Sequence, residues 1–207
     1  ASLIIDDDLD GSDFTAFFKN YYTELDSNKD INNLLEQIKS RLHPMDVIRT
    51  IVSYIGESEK KSDLEATTQI SAAVAYVIAS YNDSKTSELN DEYTVASSML
   101  SDEASKDQIQ ALDDILILYA EHGFNASTFA TRVTGSTRSD LTSSIVSGIG
   151  TLKGELHGGA NERAVELINS FQDVEDATVG VMKMLDEKKK IMGFGHGVYK
   201  IQDPRLS

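Results

Sequence analysis

Apolar side chains recur at helical spacing along most of the chain, and the alternation typical of strands is nowhere sustained. Residues three and four apart share one face of a helix, so each run predicts an amphipathic helix. Only two prolines occur, which agrees with long helices. The sequence therefore predicts an all-α protein, with helical runs over residues 14–25, 31–42, 45–55, 64–81, 94–100, 109–119, 125–133, 139–152, 164–171 and 174–185.

Short polar residues in front of these runs predict where the helices begin, because their side chains can accept from the open amides of a first turn. Ser105 with Gln108 has the spacing of a capping box. His43-Pro44 breaks the second run and starts the third, and Gly56 ends the third. The other expected helix starts are Ser12, Asp30, Asn125, Ser139 and Asp173.

Composition excludes several classes of protein. A formal net charge of −15 argues against a nucleic-acid partner, because binding phosphates needs a basic face. No apolar stretch approaches the length of a membrane span, and residues 1–8 do not have the pattern of a signal peptide. The absence of cysteine fits a reducing compartment, so we expect a cytoplasmic location.

Two histidine-containing blocks carry the candidate chemistry. His157 lies next to a glycine pair, and Asn161 is the expected N-cap of the following helix. A helix start presents open amides and favours negative charge, so His157 is expected where an anionic ligand could bind. His196 lies in a glycine-rich loop, and Arg205 follows it. Two imidazoles and a guanidinium indicate acid/base chemistry on a small carboxylate.

These blocks resemble the citrate synthase family, which includes 2-methylcitrate synthases. The first block reads LKGELHGGANE and the second GFGHGVYK followed by DPR. Further likeness is found in AEHGFNASTF from residue 120 and in HPMDVIRT from residue 43. The resemblance covers nearly the whole chain in the family's order. It implies a large helical domain over residues 1–156 and the start of a smaller helical domain over residues 157–207.

What the resemblance implies is an acyltransferase that condenses acetyl-CoA or propionyl-CoA with oxaloacetate. His157 would donate to the thioester oxygen, where negative charge develops, and His196 would bind and protonate the oxaloacetate carbonyl. The family's proton-removing aspartate is expected downstream of Ser207, so the 207-residue chain alone is expected to be severely impaired. The other implied roles are oxaloacetate binding by His122 and Arg205, orientation of the first imidazole by Ser127, and CoA binding by Gly193, Gly195 and Lys200.

The alternative to an enzyme is a non-catalytic helical protein that kept the fold, since a fold does not fix an activity. A zinc site is not expected, because the histidines lack a ligand spacing and there is no cysteine. The glycines at 193 and 195 do not form a dinucleotide fingerprint, and we expect no cofactor besides the acyl-CoA substrate. A homodimer is expected through the helices over residues 125–133 and 139–152, with Gly148 and Gly150 allowing close helix packing.

Overall fold

A computed structural model describes residues 11–56, 62–82, 95–120, 123–194 and 201. The described residues form helices and their connections without a strand, and the predicted all-α class is confirmed. The helices are α1 (Gly11–Ser27), α2 (Lys29–Ile38), α3 (Pro44–Ile55), α4 (Asp63–Tyr81), α5 (Val95–Met99), α6 (Lys106–Ala120), α7 (Ala126–Ser136), α8 (Leu141–Leu152), α9 (Gly159–Asn169) and α10 (Val174–Asp186).

The chain divides into two compact units, Ala1–Gly150 and Thr151–Ser207. The predicted domain boundary at residue 156 stays a prediction. In the first unit the core is built by α1 to α4, where Tyr22, Val47 and Ile51 are completely buried. The Tyr22 ring meets the Tyr76 ring edge-on, with 5.4 Å between centroids. Burial raises the pKa of Tyr76 to about 12, so its hydroxyl stays protonated and donates to Asn32 Oδ1 at 2.5 Å.

Several helix starts follow the local sequence as predicted. His43 precedes Pro44 as the N-cap of α3, and its Nδ1 accepts from the Met45 amide at 3.2 Å. This makes His43 a structural residue, as its position before proline indicates. Gly56 ends α3 with φ of +59°, a conformation that favours glycine. The capping box of Ser105 and Gln108 forms with bonds of 2.8 and 3.3 Å, and Asn125 and Asp173 cap α7 and α10.

Other predicted starts are wrong by one or two residues. Ser12 lies inside α1, which already includes Gly11. The cap of α2 is Asn28, whose side chain accepts two amides, and Asp30 lies in the first turn. Ahead of α8, Asp140 rather than Ser139 accepts the Ser143 amide at 2.7 Å. At α2 and α8, neighbouring polar residues compete for one position, and the packed chain decides which side chain reaches the open amides.

The two glycines of α8 allow close packing within the chain. A Cβ on Gly148 would lie 2.3 Å from Thr131 Oγ1 and 3.6 Å from the Ser127 carbonyl oxygen, both on α7, so the two helices lie close together there and an added side chain would displace the Thr131 hydroxyl. A Cβ on Gly150 would meet only the Arg49 side chain of α3, at an ordinary 3.7 Å. The predicted close approach is therefore observed at Gly148. It joins α7 to α8 of one chain, which differs from the expected contact between two copies.

The later helices expose much of their apolar surface. No residue of α6, α7, α9 or α10 is fully buried. Ile168 of α9 and Val179 of α10 remain 69% and 65% exposed, although both belong to helical apolar patterns. Among the described residues, no helix is long and apolar enough to cross a membrane.

A closed backbone turn joins the end of α8 to the start of α9. The Gly154 amide donates to the Thr151 carbonyl at 3.0 Å, and the Gly158 amide donates to the Leu152 carbonyl at 2.9 Å. The Gly154 carbonyl in turn accepts from the amides of His157 at 2.8 Å and Gly159 at 3.3 Å. One of these bonds joins the two helix ends directly, and the others satisfy the last carbonyls of α8 and the first amides of α9 through Gly154 of the turn.

Gly158 is the residue on which the closure depends. Its backbone is right-handed, with φ of −63° and ψ of −28°, so left-handed freedom is not why glycine stands there. A Cβ at this position would lie 2.4 Å from the Leu152 carbonyl oxygen, which belongs to the backbone and cannot rotate away. The glycine is required because the chain's own backbone approaches it closely.

Gly158→Ala is therefore expected to lower the free energy of unfolding by about 1–3 kcal/mol, because the added methyl group forces the Leu152 carbonyl away. Urea denaturation of wild type and variant measures the difference. The matched control is Gly159→Ala, whose Cβ would lie 3.4 Å from the nearest atom and should change stability by less than about 1 kcal/mol. Equal stability of Gly158→Ala and Gly159→Ala would contradict the steric account.

Candidate active site

His157 lies within the closed turn, two residues before the first residue of α9. It is half-buried, its amide donates to the Gly154 carbonyl, and its carbonyl accepts from the Ala160 amide at 3.2 Å. Both backbone groups of the residue are thus fixed by the chain itself. The imidazole is carried on a backbone segment with few ways to move.

The expected anion site on open amides at this helix start is not found. Gly158 is the N-cap of α9 and has no side-chain capping bond, while Asn161 lies inside the helix. The amides of residues 157 to 161 all donate to carbonyls of residues 152, 154, 157 and 158. The two glycines allow the turn to fold so that its own carbonyls accept these amides. The amides therefore have no hydrogen left to donate to a ligand. The imidazole of His157 remains the group through which this turn could contact a substrate.

The turn also carries an ion pair that the sequence analysis missed. The Arg163 guanidinium in the second turn of α9 contacts the Glu155 carboxylate within the loop. The two residues are eight positions apart, a spacing with no rule that could identify the pair from sequence. Both side chains remain partly solvated, with 42% of Arg163 and 68% of Glu155 exposed.

The beginning of the second histidine block packs against the helix that follows the first. Gly193 has φ of +87°, and a Cβ there would lie 3.3 Å from Ala164 Cβ on α9. The Phe194 amide donates to the Ile191 carbonyl at 3.3 Å, which turns the chain at this point. The structure therefore brings the start of the glycine-rich loop to the helix that begins two residues after His157.

Five of the predicted site residues lie outside the described residues: His122, Gly195, His196, Lys200 and Arg205. Their roles stay predictions. Among the residues that are described, no group of three or more His, Cys, Asp or Glu side chains could hold a metal ion. The expected lack of a metal also stays a prediction, because two of the four histidines are outside that set.

Ser127 lies in the first turn of α7, directly after the EHGFN segment. Its hydroxyl donates to Asn125 Oδ1 at 2.8 Å, and the same oxygen accepts the Thr128 amide at 2.9 Å. Ser127 therefore supports the cap that begins α7. Its predicted role in orienting the His157 imidazole stays a prediction.

At the start of α8, hydrogen bonds shift the pKa of the Asp140 carboxyl. The Ser143 hydroxyl and amide both donate to Asp140, at 2.7 Å each. These hydrogen bonds hold the pKa of the Asp140 carboxyl below its ordinary value. The carboxylate stays ionised at the positive end of α8, where a negative charge stabilises the helix that leads to the His157 turn.

Comparison with known proteins gives a consistent result. The family model described as citrate synthase, C-terminal domain, matches residues 1–207. The chain is 40% identical over 188 residues to a 2-methylcitrate synthase from Shewanella oneidensis, covering 84% of this chain and 50% of the relative. It is 36% identical over 191 residues to citrate synthase 2 from Bacillus subtilis, covering 83% and 51%. The chain thus spans about half the length of these curated relatives.

The fold is also shared with solved citrate synthases. One such structure is the ternary complex of carboxymethyl coenzyme A and oxaloacetate with citrate synthase from the archaeon Thermoplasma acidophilum. It matches 98% of this chain and 57% of its own with a TM-score of 0.76 at 27% identity. The helical fold is shared over nearly all residues of the chain, and the family model and the curated relatives indicate the same family. The chain belongs to the citrate synthase family.

Proposed function

We propose that the full-length protein condenses acetyl-CoA or propionyl-CoA with oxaloacetate, giving citrate or 2-methylcitrate and CoA. The observation that carries the proposal is the closed turn that holds His157 at the start of α9, within a chain of the citrate synthase family. Relatives named citrate synthase and 2-methylcitrate synthase support the reaction class. The Thermoplasma acidophilum complex with carboxymethyl coenzyme A and oxaloacetate supports the two substrates.

The hardest step of this reaction is the removal of a proton from the carbon beside the thioester. As the proton leaves, negative charge develops on the thioester oxygen, and a donor aimed at that oxygen lowers the barrier. His157 supplies this donor in the proposal. Because the turn closes with its own hydrogen bonds, the backbone that carries the imidazole is in place before the substrate arrives.

The resulting enol then attacks the ketone carbon of oxaloacetate. A carbon–carbon bond forms, and the ketone oxygen takes a proton from His196. Water then cleaves the thioester and releases CoA. Arg205 and His122 bind the oxaloacetate carboxylates and carbonyl, with Arg205 offering the two parallel donors that suit a carboxylate.

CoA binding is assigned to the glycine-rich loop. Gly193, Gly195 and Lys200 face the CoA in this proposal, and the left-handed Gly193 has no Cβ to obstruct close approach. The carboxylate that removes the proton is an aspartate beyond Ser207, by the family's pattern. A cytoplasmic location, expected from the sequence, stays a prediction.

His157→Ala in the full-length protein is expected to lower kcat by about 10²–10³-fold, because a donor to a developing oxyanion acts mainly in the transition state. Release of the CoA thiol with each acyl-CoA measures kcat, and calorimetric titration measures oxaloacetate binding, which should be unchanged. The matched control is His43→Asn, in which asparagine can still cap α3 and kcat should remain at the wild-type value.

Two results would contradict the assignment. If wild type released no CoA thiol with either acyl-CoA, the protein would be the non-catalytic alternative. If wild type were active and His157→Ala raised only KM, then His157 would bind substrate without stabilising the transition state.

The proposed assembly is a homodimer formed through α7 and α8, and exposed aromatic residues on and just before α7 support it. Phe129 and Val133 of α7 are 56% and 49% exposed, and Phe124 is exposed beside them with its ring 5.6 Å from that of Phe129. The Arg132 guanidinium lies 5.3 Å above the Phe124 ring. An exposed aromatic cluster with an arginine is typical of the centre of an interface.

Val133→Glu is therefore expected to shift the full-length protein from dimer to monomer at micromolar concentration, because it puts a charge into an apolar contact. Sedimentation velocity measures the mass. Val179→Glu introduces the same charge at a more exposed position of α10, where the side chain is 65% exposed, and should leave the dimer intact. A wild-type monomer, or equal masses for wild type and Val133→Glu, would contradict this interface.

A further inference from the structure

We infer that Glu155 and Arg163 form a positioning pair for His157, in which an ion pair holds the side of the turn that the backbone hydrogen bonds leave open. The inference rests on the proposed function, since it assigns these residues a role in the same site. Neither residue is expected to touch a substrate. Their effect is exerted on the backbone from which the imidazole projects.

The backbone hydrogen bonds hold the two ends of the turn but not its tip. Gly154 is fixed through both its amide and its carbonyl, and His157 through its amide. Between them lie Glu155 and Leu156, for which no backbone hydrogen bond is described, and Leu156 is completely exposed. Rotation of the unbonded peptide plane between Glu155 and Leu156 would strain the His157 amide hydrogen bond beside it, and loss of that bond would let the His157 side chain change direction.

The contact between Glu155 and Arg163 restrains this tip. Arg163 sits on α9, whose start is fixed by the closed turn, so the guanidinium is a stable anchor for the carboxylate. The three other ion pairs between described residues join side chains two or three positions apart, namely Glu36–Lys39, Asp46–Arg49 and Glu187–Lys189. Such pairs reinforce a single helix or its end. The pair across eight residues instead connects a loop to a helix, with His157 between its two members.

The size of the effect follows from the exposure of both side chains. A partly solvated ion pair contributes little to global stability, so its loss should leave the unfolding temperature nearly unchanged. The same small energy, acting on the orientation of His157, corresponds to a decrease in kcat of about 1.5- to fivefold when the ion pair is removed. Oxaloacetate does not contact this histidine in the ground state of the proposed mechanism, so its KM should not change.

The test uses the full-length protein with Glu155→Gln, Arg163→Gln, the double variant, Arg163→Lys and the charge swap Glu155→Arg/Arg163→Glu. Steady-state kcat, KM for each substrate and the unfolding temperature are measured at low ionic strength and at about 1 M salt, where charges are screened within roughly 3 Å. The matched control is Glu36→Gln, which removes the same charge from an exposed helical pair. It should leave kcat at the wild-type value.

We expect each single neutral variant to have a kcat about 1.5- to fivefold below that of wild type. The kcat of the double variant should be no lower than that of either single variant. Arg163→Lys and the charge swap should have a kcat close to that of wild type. At about 1 M salt, the difference in kcat between wild type and the single neutral variants should become smaller. The inference is overturned if the single variants keep wild-type kcat, if their losses add in the double variant, or if Glu36→Gln loses as much.

An inactive wild type would remove the proposed function but would still leave the pair open to test by nuclear magnetic resonance. The carbon-bound imidazole protons of His157 report its orientation without any substrate. One sharp set of signals is expected in wild type and Arg163→Lys, with broadened or doubled signals in Glu155→Gln and Arg163→Gln. Identical His157 signals in all four proteins would overturn the inference independently of activity.

Discussion

The hydrogen bond from the Gly158 amide to the Leu152 carbonyl fixes the path of the chain through the candidate site. It brings the end of α8 within 2.9 Å of the start of α9, and only a residue without a Cβ can stand at that distance. The positions of His157, of the first amides of α9 and of Arg163 all follow from it. A donor that is already oriented costs no reorganisation when charge develops on a substrate, which is why a rigid turn suits an enzyme of this family.

The sequence alone predicted the fold class and most helices, because helical periodicity and capping residues are local signals. Ser105, Asn125 and Asp173 act as expected, since each is a favourable capping residue at its helix start. The errors occur where two polar residues are equally placed, as with Ser139 and Asp140. There the choice depends on packing between helices, which periodicity does not report.

The geometry of the candidate site was predicted only in part, and the roles of its residues stay predictions. The motif around His157 suggested a role that stays a prediction, and its helix start was placed at Asn161, whereas Gly158 is the N-cap. Open amides were expected at this helix start, whereas the structure bonds them to carbonyls of the chain itself. Glu155 and Arg163 could not be paired from sequence, because their contact exists only once the turn has closed.

The most direct measurement of the central claim is amide hydrogen exchange in the ligand-free full-length protein. If the turn is closed before substrate binds, the His157 and Gly158 amides should exchange about tenfold or more slowly than in an unstructured peptide. The Leu156 amide, for which no acceptor is described, should exchange rapidly and serves as the internal reference. Equally fast exchange at all three amides would show an open turn and contradict the account.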